Sequence, residues 1–182
     1  MLIDTPGFDD TNKTETEILS MLATYLANMF EQNQKLSGVI YLHRISDVRV
    51  GGISARNFRM FRELCGEDTL KNVVIVTNRW EEVPQDIGDA REEELRTKDI
   101  FFKPALDKHA RMVRHHNTHD SASTIVKSLV RNTPLPLLIQ KEMVEEKKLL
   151  VETAAGEVVN QDVLEVMKKH SAELERIKHE MQ

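Results

Sequence analysis

An Asp-x-x-Gly stretch opens the chain, with Asp4 and Gly7 directly after the apolar residues 1–3. In nucleotide-hydrolysing α/β domains, such a stretch ends a strand, its Asp facing a magnesium ion and its Gly amide facing a terminal phosphate. Asp, Pro and Gly are also the residues that a tight turn favours. Taken alone, the motif leaves both interpretations open.

A second polar stretch, Thr77 to Glu81, follows the apolar run VVIV and is a form of the Asn-Lys-x-Asp sequence with which GTPases read guanine. Asn78 would hold the loop, and the long cation of Arg79 would lie over the base. The carboxylate of Glu81 would accept hydrogen bonds from the guanine ring N–H and amino group. Both stretches follow predicted parallel strands, whose carboxyl ends are where open α/β sheets bind ligands. Together they favour a nucleotide site.

Composition and charge restrict the class of protein. The chain has 182 residues and a net charge of −5, so no overall basic field favours nucleic acid or anionic lipid. The single cysteine, Cys65, excludes an internal disulfide and fits a reducing compartment. The longest apolar runs are too short to cross a membrane, and no secretory signal is visible. We therefore expect a cytoplasmic protein with no transmembrane segment.

Short apolar strands alternate with helices over most of the chain. Residues 1–4 are predicted to end a buried strand, and further strands are predicted at LSGVIYLHR, KNVVIVTN and RMVRHH. Helices are predicted over TETEILSMLATYLANMFEQ, ISARNFRMFRELCG, GDAREEELRTKDIFFKPAL and SASTIVKSLVRN, the last with Ser121 as its cap. This alternation is typical of a parallel sheet that helices cover on both faces.

The alternation stops near Pro134 and Pro136, which predicts a domain boundary followed by a charged helical segment. Gly156 is expected to weaken that segment's helix. Beyond it, apolar residues recur at spacings of four and three, which predicts either a short coiled coil or a helix packed on its own domain. These seam positions are Val163, Met167, His170, Leu174, Ile177 and Met181.

The stretches LIDTPGFDDT, LSGVIYLHRISDVRVGG, NFRMFRELCG and NVVIVTNRW, together with the helical KEMVEEKKLLVETAAGEVVN, resemble fungal G-domain proteins related to the AIG1-type and septin-type GTPases. The resemblance implies a P-loop NTPase fold that binds GTP with Mg²⁺ and often associates with neighbouring G domains. The expected fold class is α/β: a partial, GTPase-type P-loop NTPase with a mostly parallel sheet flanked by helices. Residues 1–134 would form the truncated G domain, and residues 135–182 a C-terminal helical extension.

The resemblance also implies site residues. Asp4 would hold magnesium through water, Gly7 would touch the γ-phosphate, and Asn117 would belong to the last nucleotide loop. The implied nucleotide-binding positions are Asp4, Gly7, Thr77, Asn78, Arg79, Glu81 and Asn117.

The sequence departs from that family at three points. It contains no Gly-x-x-x-x-Gly-Lys-Ser/Thr, so the phosphate-binding loop and its lysine are missing. Glu81 replaces an Asp, and its extra methylene displaces the bidentate contact with guanine. Phe8 stands where many GTPases keep a water-positioning glutamine, and a hydrophobic side chain cannot orient water. We therefore assign no catalytic residue and expect weak or no GTP hydrolysis.

A different class of function stays open. The chain would then be a non-catalytic interaction module, a pseudo-GTPase that binds a second copy or another G-domain protein through its G-domain surface and helical tail. In the resembled fold, a strand lies between the one ending at Asp4 and the one over Gly38 to Leu42. Without that strand these two must pair with each other or leave exposed edges, so we expect the isolated chain to be poorly stable or to oligomerise.

Two further features have two interpretations each, and a third has one. One is a cluster that could hold a metal ion or form a polar loop near the nucleotide pocket: His115, His116, His119 and Asp120. Their irregular spacing favours the polar loop. Trp80 could stack beside a base or be an aromatic packed in its loop. The acidic run REEELRTKD is most simply a solvated helix face.

Overall fold

The computed structural model describes residues 1–8, 12–47 and 52–161. It is an α/β structure with a three-stranded parallel sheet in the order β1 (Val39–Arg44), β2 (Val73–Asn78) and β3 (Arg111–Arg114). Both strand pairs are parallel, with Val39 opposite Val73 and Val74 opposite Arg111. Parallel strands need crossover connections, and here helices supply them.

The helices follow the strands in alternation. They are α1 (Glu15–Glu31), α2 (Gly52–Cys65), α3 (Gln85–Thr97), the short α4 (Lys103–Leu106), α5 (His119–Val130) and α6 (Leu138–Gln140). A π-helical turn over Lys141–Glu145 continues α6, and residues 154–161 are again helical. The predicted strands LSGVIYLHR, KNVVIVTN and RMVRHH and the first two predicted helices are confirmed in type and place.

The central strand β2 is buried on both faces, and its alternating residues divide the core in two. Val73 and Ile75 belong to a large cluster with residues of α1, α2, α4 and the segment after residue 136. Val74 and Val76 form a smaller cluster with Ile125 and Leu129 of α5. This division follows from the period of two along a strand, and it explains why β2 is an unbroken apolar run.

Helix α1 begins where its sequence supplies a complete capping box. The Thr14 hydroxyl accepts from the Glu17 N–H at 3.2 Å, and the Glu17 carboxylate accepts from the Thr14 N–H at 2.7 Å. The helix buries Ile18, Ala23 and Leu26 among others. Helix α2 ends before Gly66, which has φ +78° and donates its N–H to Arg62, as the glycine predicts.

The first four residues correct one expectation, because residues 1–4 form no strand. Met1 is 94% and Leu2 77% exposed, and neither joins the described sheet. A run of three apolar residues gains too few ladder hydrogen bonds to offset the entropy of extending it unless a neighbouring strand receives it. Phe8, in contrast, packs against the large core cluster.

Strand β1 corrects the expectation of burial on both faces. Its Tyr41 and His43 face the large core, but Leu42 on the opposite face is 64% exposed. Leu42 lies directly beside Val76 in the ladder, and Val76 is 1% exposed. Helix α5 therefore covers β2 and leaves the carboxyl half of β1 uncovered, with no further strand on its outer edge among the described residues.

Two helices differ from their predicted form. The stretch GDAREEELRTKDIFFKPAL is two helices, because Lys98 is extended (φ −89°, ψ 134°) and the chain then turns Phe101 and Phe102 into the core. Helix α5 is capped by Thr118, whose hydroxyl accepts from the Ser121 N–H at 3.2 Å. Ser121 is thus the third residue of the helix rather than its cap.

The segment after Pro136 packs on the same core as the sheet. Leu137, Ile139, Ala155 and Val158 are buried in the cluster that contains Ile75. The seam positions Val163, Met167, His170, Leu174, Ile177 and Met181 lie outside the described residues. Across the described ranges, no helix combines the length and apolar character needed to cross a bilayer.

Candidate functional site

Thr77 and Asn78 lie at the carboxyl edge of the sheet, where the loops after the strands begin. Arg44 lies opposite Asn78 in the β1–β2 ladder, and Thr77 lies opposite Arg114 in the β2–β3 ladder. The backbone continues this pairing beyond the strands, since the Ile45 N–H donates to the Asn78 carbonyl at 3.0 Å. The loops that follow all three strands therefore begin side by side, as expected for a ligand-binding edge.

The loop after β2 turns sharply at Arg79. Its backbone is left-handed (φ 62°, ψ 32°), and a short 3₁₀ turn over Trp80–Glu82 follows. A non-glycine residue in this region is uncommon and is held there by its surroundings. The Arg79 side chain forms an ion pair with Glu82, with Nη1 2.5 Å from Oε1, so it lies along its own loop.

Asn78, the last residue of β2, contains a buried acceptor without a partner. Its carboxamide oxygen Oδ1 is enclosed, yet no described residue donates a hydrogen bond to it. Because side chains alternate along a strand, the Asn78 side chain lies on the same sheet face as Val74 and Val76. Helix α5 covers this face over β2 but not over the carboxyl half of β1. Most buried polar atoms in proteins are paired, so the partner of this oxygen is a group outside the described residues, such as an ordered water or a ligand.

The two acidic residues of the loop behave differently. Glu82 accepts hydrogen bonds from Ser46 and Arg79, which lower the pKa of its carboxyl group. It thereby connects the loop after β2 with the loop after β1. Glu81 is exposed. It lies three residues after Asn78, close to the end of β2.

Trp80 is packed in its loop. The indole Nε1 donates to the Thr77 carbonyl at 3.2 Å and to the Thr77 hydroxyl at 3.1 Å. The guanidinium carbon of Arg114 lies 3.9 Å from the ring centroid. Of the two interpretations of Trp80, the packed aromatic is the one that the structure supports.

The loop after β3 begins beside the loop that follows β2. The His115 N–H donates to the Thr77 carbonyl at 2.8 Å, and His115 Nδ1 is 2.8 Å from the Ser121 hydroxyl. Asn117 is exposed with φ 54°. Asn117 thus lies in the loop that starts beside Thr77 at the end of β2, and His115 is engaged with the first turn of α5.

Asp4 and Gly7 are not part of the sheet edge. Both are exposed, in the irregular segment 1–8. In the described part of the chain, no group of three or more His, Cys, Asp or Glu side chains is arranged to hold a metal ion. The expected roles of Asp4 and Gly7 toward magnesium and phosphate therefore stay predictions.

The residues present fit one end of a guanine nucleotide and not the other. The loop Thr77 to Glu81 offers an exposed carboxylate on Glu81, a group type that faces a purine base, and behind it a buried acceptor on Asn78 that has no partner among the described residues. The sequence contains no glycine-rich loop with a lysine to surround a triphosphate. We therefore derive no phosphoryl-transfer step for this chain.

Sequence reasoning missed the partners of Trp80. Arg114 at the end of β3 pairs with Glu92 and with Asp89 of α3, the latter at 2.8 Å. Glu92 is 13% exposed, so this one residue of the acidic run faces Arg114, whereas Glu93, Arg96 and Thr97 are exposed, as a solvated helix face predicts. A signal was present in the sequence, because Asp89 and Glu92 are three residues apart and share one side of a helix.

No protein-family model matches the chain, and no curated protein matches it.

Proposed function

We propose that this chain is a GTPase-type G domain that retains the guanine-reading edge of the sheet but lacks the phosphate-binding loop. It would bind a guanine nucleotide weakly and would not hydrolyse it efficiently. The observation that supports this most is the buried, unpartnered Oδ1 of Asn78 at the carboxyl end of β2. It lies at the position where the Asn of the base-reading sequence is expected, and beside it stands the exposed Glu81.

Weak binding follows from what the sequence lacks. Phosphate contacts from backbone N–H groups and a lysine normally supply much of the affinity for a nucleotide, and they stabilise the charge of the transition state. Without them, the base and the Glu81 carboxylate would provide the main specific contact. We therefore expect a dissociation constant in the range of about 0.1–1 mM, or roughly −5.5 to −4 kcal/mol.

Titration of the full chain with GDP, GTP and ATP in the presence of Mg²⁺ tests the proposal, with heat of binding as the readout. We expect GDP and GTP to bind with similar affinity, because the phosphates contribute little, and ATP to bind more weakly. Saturation with ATP as readily as with GDP would contradict the guanine assignment. No binding of any nucleotide up to about 1 mM would contradict nucleotide binding altogether.

The uncovered part of β1 favours a second candidate, a non-catalytic interaction module. Leu42 is 64% exposed beside the fully covered Val76, and an apolar side chain on an edge strand is a site for pairing with another chain. The partner would be a second copy or another G-domain protein. Light scattering over a range of concentrations, with Leu42→Lys as the variant, tests the first possibility. A concentration-dependent dimer that Leu42→Lys abolishes would support it, and a monomer throughout would leave only the heterologous partner.

A further inference from the structure

The indole ring of Trp80 is fixed at its nitrogen by the strand that precedes it. Nε1 donates to both the carbonyl and the hydroxyl oxygen of Thr77, and the Thr77 hydroxyl is 3.4 Å from the Val113 carbonyl oxygen of β3. Thr77 is completely buried. The single donor of the indole is therefore used within the protein and is not available to a ligand.

The ring is covered by a cation that is itself held in place. Arg114 lies over the indole with its guanidinium carbon 3.9 Å from the ring centroid, an attractive cation–π geometry. Its Nε is 3.1 Å from both carboxylate oxygens of Glu92, its Nη2 also contacts Glu92, and Nη2 is 2.8 Å from Asp89. A lysine could not combine the planar stacking with this forked contact.

A glycine allows α3 to approach the same ring. A Cβ atom on Gly88 would lie 2.8 Å from Cζ3 and 3.1 Å from Cε3 of Trp80. Gly88 is buried in the first turns of α3, where glycine is less favourable to a helix than alanine. Close packing against Trp80 is the structural reason for glycine at this position.

These contacts fix the turn that carries the base-reading residues. Trp80 begins the 3₁₀ turn Trp80–Glu82, and it follows the left-handed Arg79. Because the indole cannot move without breaking its contacts with Thr77 and Arg114, the backbone on both sides of it is restrained. Glu81 follows Trp80 directly, so the direction of its carboxylate depends on this restraint.

We propose that Arg114 is a positioning residue: acting through Trp80, it holds the base-reading loop, Thr77 to Glu81, in one conformation before any ligand binds. Trp80 is then an anchor of the loop and not a stacking surface for the base. The consequence for binding rests on the proposed function, whereas the restraint on the loop exists in the free protein. The two parts can therefore be tested separately.

The first test uses the free, full-length chain and the variant Arg114→Gln. Trp80 is the single tryptophan of the chain, so its fluorescence reports this position alone. We expect Arg114→Gln to raise acrylamide quenching of Trp80 by about twofold or more, and to accelerate amide hydrogen exchange at residues 79–82 by about tenfold. The matched control is Arg111→Gln, which removes another arginine from the same strand. The Nη2 of Arg111 donates to the Ser128 carbonyl oxygen at 3.3 Å, and it is Arg114, not Arg111, that lies over Trp80.

Variants of the partners separate positioning from a general loss of structure. Glu92→Gln removes one of the two carboxylates that hold Arg114 and leaves Asp89 in place. It should raise the quenching to a smaller extent than Arg114→Gln. Arg114→Lys keeps the charge but not the forked contact, and should fall between wild type and Arg114→Gln. If Arg114→Gln does not fold by circular dichroism, Glu92→Gln gives the decisive comparison. Quenching and exchange equal to wild type in the folded variants would overturn the proposal.

The second test measures GDP affinity of the same variants. We expect Arg114→Gln to weaken GDP binding by about fivefold or more, roughly 1 kcal/mol, and Arg111→Gln to leave it unchanged. Unaltered GDP affinity together with a loosened Trp80 would overturn the positioning role in binding. If the wild type binds no GDP, the proposed function fails, and the quenching and exchange data still decide whether Arg114 restrains the loop.

Discussion

Gln140 and Leu26 are 114 positions apart, and the Gln140 side chain joins them: its Nε2 donates to the Leu26 carbonyl oxygen of α1 at 2.7 Å. The Gln140 carboxamide oxygen accepts from the Leu137 N–H at 2.8 Å. Gln140 is completely buried, so one side chain satisfies polar groups of two distant segments inside the core. The first helix and the segment after Pro136 are held together by this contact as well as by apolar packing.

Replacing Gln140 with leucine, which has a similar size, should therefore destabilise the chain. The Leu137 N–H would be left buried without an acceptor, and we expect the free energy of unfolding to fall by about 1–3 kcal/mol. Urea unfolding followed by circular dichroism measures the change. The matched control is Gln85→Leu on the exposed start of α3, where a change within about 0.5 kcal/mol is expected. Equal losses in the two variants would contradict the role of the Gln140 hydrogen bonds.

At Gly156 the backbone lies close to the backbone of Leu150. A Cβ atom there would lie 1.9 Å from the Leu150 carbonyl oxygen, and neither backbone segment can yield as a flexible side chain could. We expect Gly156→Ala to destabilise the chain by about 3 kcal/mol, although alanine favours helix. Gly52, at the start of α2, has open space around the same position, so Gly52→Ala should be neutral or slightly stabilising. The reverse order of the two variants in thermal unfolding would show that the approach at Gly156 is not this close.

His43 makes stability depend on pH. It is buried in β1 against Phe102, and this burial lowers the pKa of its imidazole, although the charge of Asp47 acts in the opposite direction. The folded state therefore resists protonation that the unfolded state accepts. Stability is retained above the ordinary His pKa of about 6.5 and is lost as the pH falls from there to the depressed folded pKa.

Substitution should reveal that dependence. We expect His43→Leu to flatten the fall in unfolding free energy below about pH 6.5, with carboxyl groups contributing at lower pH. His119 has a side chain that is 92% exposed, and His119→Gln should keep the wild-type profile. Urea unfolding at a series of pH values gives the comparison. A His43→Leu profile parallel to wild type would contradict the assignment of the titration to His43.

Asn78 and Asn72 differ in whether their side chains are paired. Asn72 Nδ2 donates to the Thr133 carbonyl at 2.9 Å, whereas Asn78 Oδ1 is buried without a partner. Asn72→Leu should therefore destabilise by about 1–3 kcal/mol, and Asn78→Leu should be neutral or stabilise the free chain by up to about 1 kcal/mol. The same Asn78→Leu variant should lose GDP binding. A large loss of stability in Asn78→Leu would mean that the carboxamide already has its partner in the free protein.

Local patterns were enough to predict most of the secondary structure. The apolar run VVIV, followed by polar residues, specifies the buried β2 because only a strand covered on both faces is apolar at every position. The Thr14 and Glu17 pair specifies the start of α1, since a capping box requires only residues three apart. The position of the Thr77 to Glu81 loop follows from the end of β2. All of these depend on neighbours within a few positions in the sequence.

The sequence by itself determined a parallel α/β arrangement and a polar loop at the carboxyl edge of its sheet. Only the tertiary structure decided which groups surround that loop, because Arg114, Glu92 and Trp80 come from three separate elements. It also decided that residues 1–4 form no strand and that Leu42 is exposed, since a strand forms and is buried only where another element receives it. Periodicity records which face of an element is apolar, whereas contacts between distant elements depend on how the chain packs.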